Sequence, residues 1–485
     1  MKAFKYLVIG ALALSAYTPM SAQDLETDLT AISKKVSDAN GDPVAVKDDV
    51  KLFLKQYKKD PVALAGLGRA YLDAKNLDEA QAYADQVMTL KVKDDKYKTP
   101  AYLLAGDIAV LRDDAGTAAM WYQTATMSDP TDDTGYVKYA RIYQKIDPDG
   151  AVAMLEKLRE VKPDYPVDGA AGYMYSATGR LKTAMEYYNK VSDVTTLKDY
   201  ILYDYASTAY VLEDYNKSLT LAKAGIKTYP EYSSFSRLAF YSNNKLGDYN
   251  SSVEYANKLF NKTDTLKFIA NDYIYYGDAL YKLDRTDEAM EAYKQAQVVD
   301  PSRNDVYKMI SDVYVKQKKY DKAIDAYDTY IELLGSAANA NHYRGYADIY
   351  IDQSDTDDEA TRQTALKKAD DAYADIEAKF DYAVEYAVWK RAAIHYQINP
   401  DMQAGEAKPY YERYISIVEP KDEKTQSQLN NLVTSYNYLA VHYIQNDDRD
   451  NALAYAQKIL AINPNHDTAN QIVAAFSEDA PAAEE

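Results

Sequence analysis

Four histidines, His342, His395, His442 and His466, are the first residues to weigh as metal ligands or proton carriers in this 485-residue chain. None lies in the two-histidine helical spacing that binds zinc, and no carboxylate pattern beside them completes a ligand set. His395 and His442 each precede a packed tyrosine, Tyr396 and Tyr443, which predicts a place on a helix surface or in a groove. The acidic run from Asp352 to Glu359 lacks the glycine turn and the spaced final glutamate of a calcium loop, so it reads as a solvated connection. Cysteine is absent, which excludes disulfides, thiolate metal sites and thiol nucleophiles. There is also no glycine-rich phosphate loop, no Gly-x-Ser-x-Gly elbow and no framed Ser-Lys pair. The expectation is a protein that is not an enzyme, with no catalytic residue, no metal and no cofactor.

Tyrosine is the other residue type with chemistry to offer. The chain has 50 of them against 8 Phe and 2 Trp. A tyrosine on a groove presents a flat apolar face and a polar tip at low entropic cost. Whether a given tyrosine packs or binds depends on the elements that carry it.

Those elements repeat. Tyr102, Ala105, Gly106, Ala109, Ala118, Tyr122, Ala125 and Pro130 recur at identical offsets as Tyr273, Tyr276, Gly277, Leu280, Ala289, Tyr293, Ala296 and Pro301. They recur again as Tyr436, Leu439, Ala440, Tyr443, Ala452, Ala456, Ile459 and Pro464. Apolar residues at i, i+3, i+4 and i+7 line one face of a first helix. The small residue (Gly106, Gly277, Ala440) lets a second helix cross closely, the alanine opening that helix fills the facing notch, and the proline ends the unit. The notch residue can be followed as Ala80, Ala118, Ala151, Ala184, Ser218, Ser252, Ala289, Ala323, Ala369, Ala407 and Ala452.

This pattern resembles the tetratricopeptide repeat, with a period close to 34 residues. The resemblance implies an all-α fold, a right-handed α-solenoid of about eleven helix-turn-helix repeats. Residues 1–22, with Lys2, Lys5 and the apolar run Leu7 to Leu14, read as a signal peptide. Residues 23–60 read as N-terminal capping helices, 61–335 as repeats one to eight, and 336–466 as repeats nine to eleven with insertions. Residues 467–485 read as a capping helix and an acidic disordered tail. The large repeat-frame tyrosines, among them Tyr71, Tyr122, Tyr143, Tyr188, Tyr293, Tyr314 and Tyr443, are expected in the core. Tyr173, Tyr255, Tyr275 and Tyr281 fall outside that frame.

In the family, the second, fifth, ninth and twelfth positions of first helices usually face the concave groove. That frame places Asn271, Ile274, Asp278 and Tyr281 there in repeat seven. Repeat eight supplies Asp305, Lys308, Asp312 and Val315, and repeat nine Asn341, Arg344, Asp348 and Ile351. The candidate partner-binding residues are Asn271, Asp278, Tyr281, Lys308, Asp312, Arg344 and Asp348. Lys308–Asp312 and Arg344–Asp348 are also i,i+4 pairs, which need no partner to explain them. The lysine-and-asparagine clamp that some of these repeats use for carboxylates is not reproduced, since Asp312 follows Lys308 and Ala65 precedes Arg69.

The net charge of −19 argues against nucleic acid and anionic membrane surfaces as partners. Beyond the leader, no stretch is apolar and long enough to span a bilayer, so no membrane insertion is expected after cleavage. A leader without a lipid-anchor cysteine predicts a periplasmic or secreted protein. The resulting expectation is a non-catalytic interaction scaffold of the bacterial cell envelope that binds a protein or peptide. The alternative is a glycan-binding protein that uses groove tyrosines.

Overall fold

The computed structural model describes residues 19–261 and 266–477. The expected signal peptide therefore lies outside the described residues, apart from Pro19 to Ala22 at the head of the first helix. The acidic tail lies outside them beyond Ser477. Every regular element among the described residues is helical. The helices α1 (Pro19–Asp38) and α2 (Lys47–Tyr57) precede a series of antiparallel pairs. The first pairs are α3 (Pro61–Asp73) with α4 (Leu77–Thr89), α5 (Thr99–Leu111) with α6 (Ala115–Ser128), and α7 (Asp133–Tyr143) with α8 (Pro148–Val161). Next come α9 (Val167–Ser176) with α10 (Leu181–Tyr188), α11 (Asp199–Val211) with α12 (Tyr215–Thr228), and α13 (Ser234–Leu246) followed by α14 (Tyr249–Phe260). The later pairs are α15 (Ala270–Lys282) with α16 (Thr286–Val299), α17 (Asp305–Lys316) with α18 (Tyr320–Leu334), and α19 (Ala340–Gln353) with α20 (Glu359–Lys379). The last are α21 (Val384–Ile398) with α22 (Lys408–Val418) and α23 (Gln426–Gln445) with α24 (Arg449–Ile462), closed by α25 (Asp467–Ser477).

The described residues fall into two compact units. The first runs to Leu246 and includes 258–261; the second takes 247–257 and the residues from 266 on.

Local chemistry sets the turn inside a repeat. The residue that follows the first helix by two positions adopts a left-handed conformation at Lys75, Asp113, Glu213, Asp284, Lys318 and Asp447, and Gly179 does so three positions after its helix. The chain then reverses, and the next residue often caps the second helix with its side chain. Asn76 accepts from the Glu79 N–H at 3.1 Å, Asp114 from Thr117 at 3.0 Å, and Asp214 from Lys217 at 3.0 Å. Repeat three has one residue fewer between Tyr143 and Ala151, and no left-handed residue stands in its turn.

Packing follows the repeat pattern. The notch residues from Ala80 to Ala452 are all fully buried. The glycine opposite them has a steric reason. A Cβ at 106 would fall 2.3 Å from the Tyr122 ring, and one at 277 would fall 2.5 Å from Tyr293. Each of these tyrosines spends its hydroxyl on the acid beside its glycine: Tyr122 donates to Asp107 at 2.6 Å and Tyr293 to Asp278 at 2.7 Å. Tyr71, Tyr122, Tyr188 and Tyr293 are core residues as expected. Tyr143, Tyr314 and Tyr443 are half-buried, and Tyr314 and Tyr443 pack against the core from its margin.

Repeats nine and ten depart from the rule. The extra residues of repeat nine wind into the front of α20 after an exposed connection at 355–358, and the long helix leans on repeat ten. Arg362 and Gln363 donate to the carbonyls of Gln397 and Ile398 at 3.2 and 2.8 Å. The long connection of repeat ten is clamped to α23. His442 Nδ1 donates to the Met402 carbonyl at 2.6 Å, and Asn446 to the Gln403 carbonyl at 3.1 Å. His442 is therefore buried, contrary to the expectation of a surface or groove residue. The loop folds back over it, with Gly405 at φ +73 directly against the imidazole.

Candidate functional site

The residues expected to form a binding face lie on α15, α17 and α19, all in the second unit. On α15, Asn271 accepts a hydrogen bond from Arg303 at 2.6 Å, and Asp278 is committed to Tyr293. Ile274 is buried and takes no part in the face, a departure from the expected frame. Tyr281 is half-buried: Lys316 lies 4.4 Å from its ring centre and donates to its carbonyl at 2.9 Å. Burial raises the pKa of Tyr281, and the nearby Asp312 carboxylate adds to the rise.

On α17 and α19 the expected ion pairs form. Lys308 bonds Asp312 at 2.7 Å, with the two side chains 48% and 44% exposed. The Arg344 Nε lies 3.4 Å from Asp348, with 45% and 57% exposure. Pairs of this kind on one helix contribute about 0.3–0.5 kcal/mol each. The Asp348 carboxylate and then Tyr386 raise the Arg344 pKa above its ordinary value, which places Tyr386 of α21 at the end of the row. Tyr386 is 40% exposed. The structure thus brings Tyr281, Lys308, Asp312, Arg344 and Asp348 into one row, whereas Asn271 and Asp278 are engaged inside the repeat.

The reading of the sequence missed Lys316 and Tyr386, which stand one helical position away from the frame it used. It also missed an ionic cluster joining repeats nine and ten. Arg391 of α21 holds Asp370 of α20 through two bonds, 2.8 and 3.0 Å, and Glu377 through a third at 2.9 Å. Arg413 of α22 pairs with the other oxygen of Glu377. His395 stacks on Tyr410 with ring centres 4.1 Å apart, and its Nε2 lies 3.3 Å from Asp370. His395 is thus enclosed among three helices rather than lying on a helix surface. Burial works to raise the Asp370 pKa, but His395 beside it and the hydrogen bonds from Arg391 hold it below the usual carboxylate range. A comparable group sits in the first unit: Asp107 receives Lys138 at 2.7 Å, Tyr122 and Arg69.

Among the described residues, no group of three or more metal-binding side chains comes together. In the same residues, no helix is long and apolar enough to cross a membrane.

A chain of antiparallel helix pairs with a small residue at each crossing is an α-solenoid of helix-turn-helix repeats. Residues 276–341 match one family model of the tetratricopeptide repeat, and residues 169–194 match a second model of the same repeat. The chain carries tetratricopeptide repeats at these residues. No curated protein matches it in sequence. Among solved structures it is similar to the C-terminal part of a TPR repeat-containing protein from Cytophaga hutchinsonii: 20% identity over 56% of this chain and 99% of that one, TM-score 0.47. A tetratricopeptide repeat protein from Parabacteroides merdae shares 14% identity over 52% of this chain and 98% of its own, TM-score 0.34. MamA from AMB-1 shares 18% identity over 34% and 96%, TM-score 0.31.

Proposed function

We propose that this protein is a non-catalytic scaffold that holds a protein or peptide partner along the α15–α17–α19 face, in the periplasm or outside the cell. One observation carries the reading. Between Tyr281 and Tyr386 lies a row of charged groups, each about half exposed, in which Lys308 pairs with Asp312 and Arg344 with Asp348 on its own helix and Arg344 also meets Tyr386 of α21. Such pairs are weak enough to be exchanged for contacts with a partner, and the repeats beneath hold them in place. Tetratricopeptide repeats are in general protein-binding modules, which supports the class of partner.

A photo-reactive residue in place of Tyr386 tests the face directly. Irradiated cells should yield a cross-linked protein that is lost when Lys308 and Arg344 are both changed to glutamate. Capture no better than from a photo-reactive residue at Glu332, exposed on α18, would refute the reading. The compartment is tested by N-terminal sequencing of the purified protein, expected to begin at or near Gln23. A retained Met1 would overturn the proposed export.

A further inference from the structure

The charges on this face are arranged as two rails. Lys308 and Arg344 form one, on α17 and α19. Asp312 and Asp348 form the other, each four residues further along its helix, which displaces them about 6 Å along the axis. The two rails carry equal and opposite charge. A ligand of one sign would therefore meet as many repulsions as attractions. Long-range steering does not favour a strongly acidic ligand either, because the whole chain carries −19.

An extended polypeptide presents successive side chains to opposite sides. Laid across α17 and α19, such a segment offers one set of side chains to each rail. We propose that the partner segment is an extended, electrically neutral polypeptide whose residues alternate in sign, with acidic side chains toward Lys308 and Arg344 and basic side chains toward Asp312 and Asp348. The proposal rests on the reading of this face as a peptide-binding surface and adds the pattern that it selects. The resting pairs leave capacity for such a segment. Lys308 has one bond to Asp312, so two ammonium protons are free of that contact. Arg344 stands with its Nε 3.4 Å from Asp348 and with Tyr386 as its other side-chain partner, both exchanged when a carboxylate takes the guanidinium in a two-bond contact. The aromatic rings of Tyr281 and Tyr386 bound the row and can cover the segment's aliphatic stems.

The test uses the full-length protein and four fluorescent twelve-residue peptides at low salt: six Glu-Lys repeats, a block of six Glu followed by six Lys, all Glu and all Lys. The alternating peptide should bind about tenfold more tightly than the block peptide of identical composition, and its affinity should fall as salt rises. The pair Lys308→Gln with Arg344→Gln, and separately Asp312→Asn with Asp348→Asn, should each weaken it by about tenfold. Exchanging both rails together (Lys308→Asp, Asp312→Lys, Arg344→Asp, Asp348→Arg) should leave its affinity within about threefold, because the segment can turn over. This last variant keeps both ion pairs on their helices, so its fold is protected, and circular dichroism verifies it. Equal binding of alternating and block peptides, no binding of either, or loss of binding on exchange of the rails overturns the proposal. If position 386 still captures a partner in a charge-dependent way, such a result overturns the alternation alone and leaves the peptide-binding face standing. Loss of that capture overturns the face itself.

Discussion

Arg391 is the residue whose removal most sharply separates a buried ionic cluster from an exposed one. Arg391→Met keeps the apolar stem of the side chain and deletes its charge. The arginine is 17% exposed, and its partners Asp370 and Glu377 are 12% and 10% exposed, so solvent screens them little. Breaking a buried ion pair by removing one partner costs about 3–5 kcal/mol. Glu377 keeps Arg413 and Asp370 keeps His395, so the expected cost is lower, about 2–3 kcal/mol. Lys308→Met, which removes an exposed pair on one helix, should cost only about 0.3–0.5 kcal/mol. Urea unfolding followed by circular dichroism compares the two. Because each repeat contacts chiefly its neighbours, the loss should appear as an earlier transition of the second unit, with the first unit's transition unmoved. Adding Asp370→Asn to Arg391→Met should recover part of the loss by removing the stranded charge. The sign with pH also follows. A carboxyl held below its ordinary range stabilises the fold above the unfolded value, and that contribution vanishes as pH falls through the lower folded value. The deficit of Arg391→Met should therefore shrink in acid. A cost below about 1 kcal/mol, or no recovery with Asp370→Asn, would refute the view that burial makes this cluster strong.

Three further outcomes follow from the packing. Gly277→Ala drives a methyl group into the Tyr293 ring and should cost about 1–3 kcal/mol, read by thermal unfolding; an unchanged midpoint would show that the helix crossing has slack. Asp107 is a second carboxyl held low: burial works to raise it, and Lys138 and Arg69 outweigh that. Its stabilisation should be complete above the ordinary carboxylate range and lost as acid titrates it, and Asp107→Asn should flatten that part of the stability–pH curve. Gly405→Ala forces a side chain onto a left-handed backbone against His442 and should cost about 1–2 kcal/mol. It should also speed proteolysis of the 399–407 loop, and unchanged cleavage would show that the clamp on His442 does not hold that loop.

The helices were legible because their signals are local. The small notch residues recur at nearly fixed intervals, and every one of those followed from Ala80 to Ala452 is buried. The offset of sixteen between Gly277 and Tyr293 likewise encodes one helix crossing. The cluster at Arg391 was not legible, since its members come from three helices and the insertion in repeat nine breaks the frame that would align them. In a chain that is 27% charged, Asp370 and Glu377 look like any solvated face until helix phase is known. His442 was misread for a related reason: its burial depends on the path of a loop some forty residues earlier. The face itself was read in part. Lys308 and Asp312, and Arg344 and Asp348, form the i,i+4 pairs that their spacing allows, but the commitment of Asp278 to Tyr293 depends on a hydroxyl whose direction the frame does not specify.

The left-handed residue and the cap that follows it act as a ruler, fixing how far and at what angle the second helix of a repeat departs from the first. A ruler of fixed length leaves no room for spliced-in sequence. The connection at 355–357 has none, and its residues are exposed. A reporter or epitope inserted there would travel as an outward loop without re-phasing the helices on either side. The same insertion at 403–405 would tear the Met402 and Gln403 carbonyls from α23. Of the two irregular joints, one is a free port for engineering and the other is a latch.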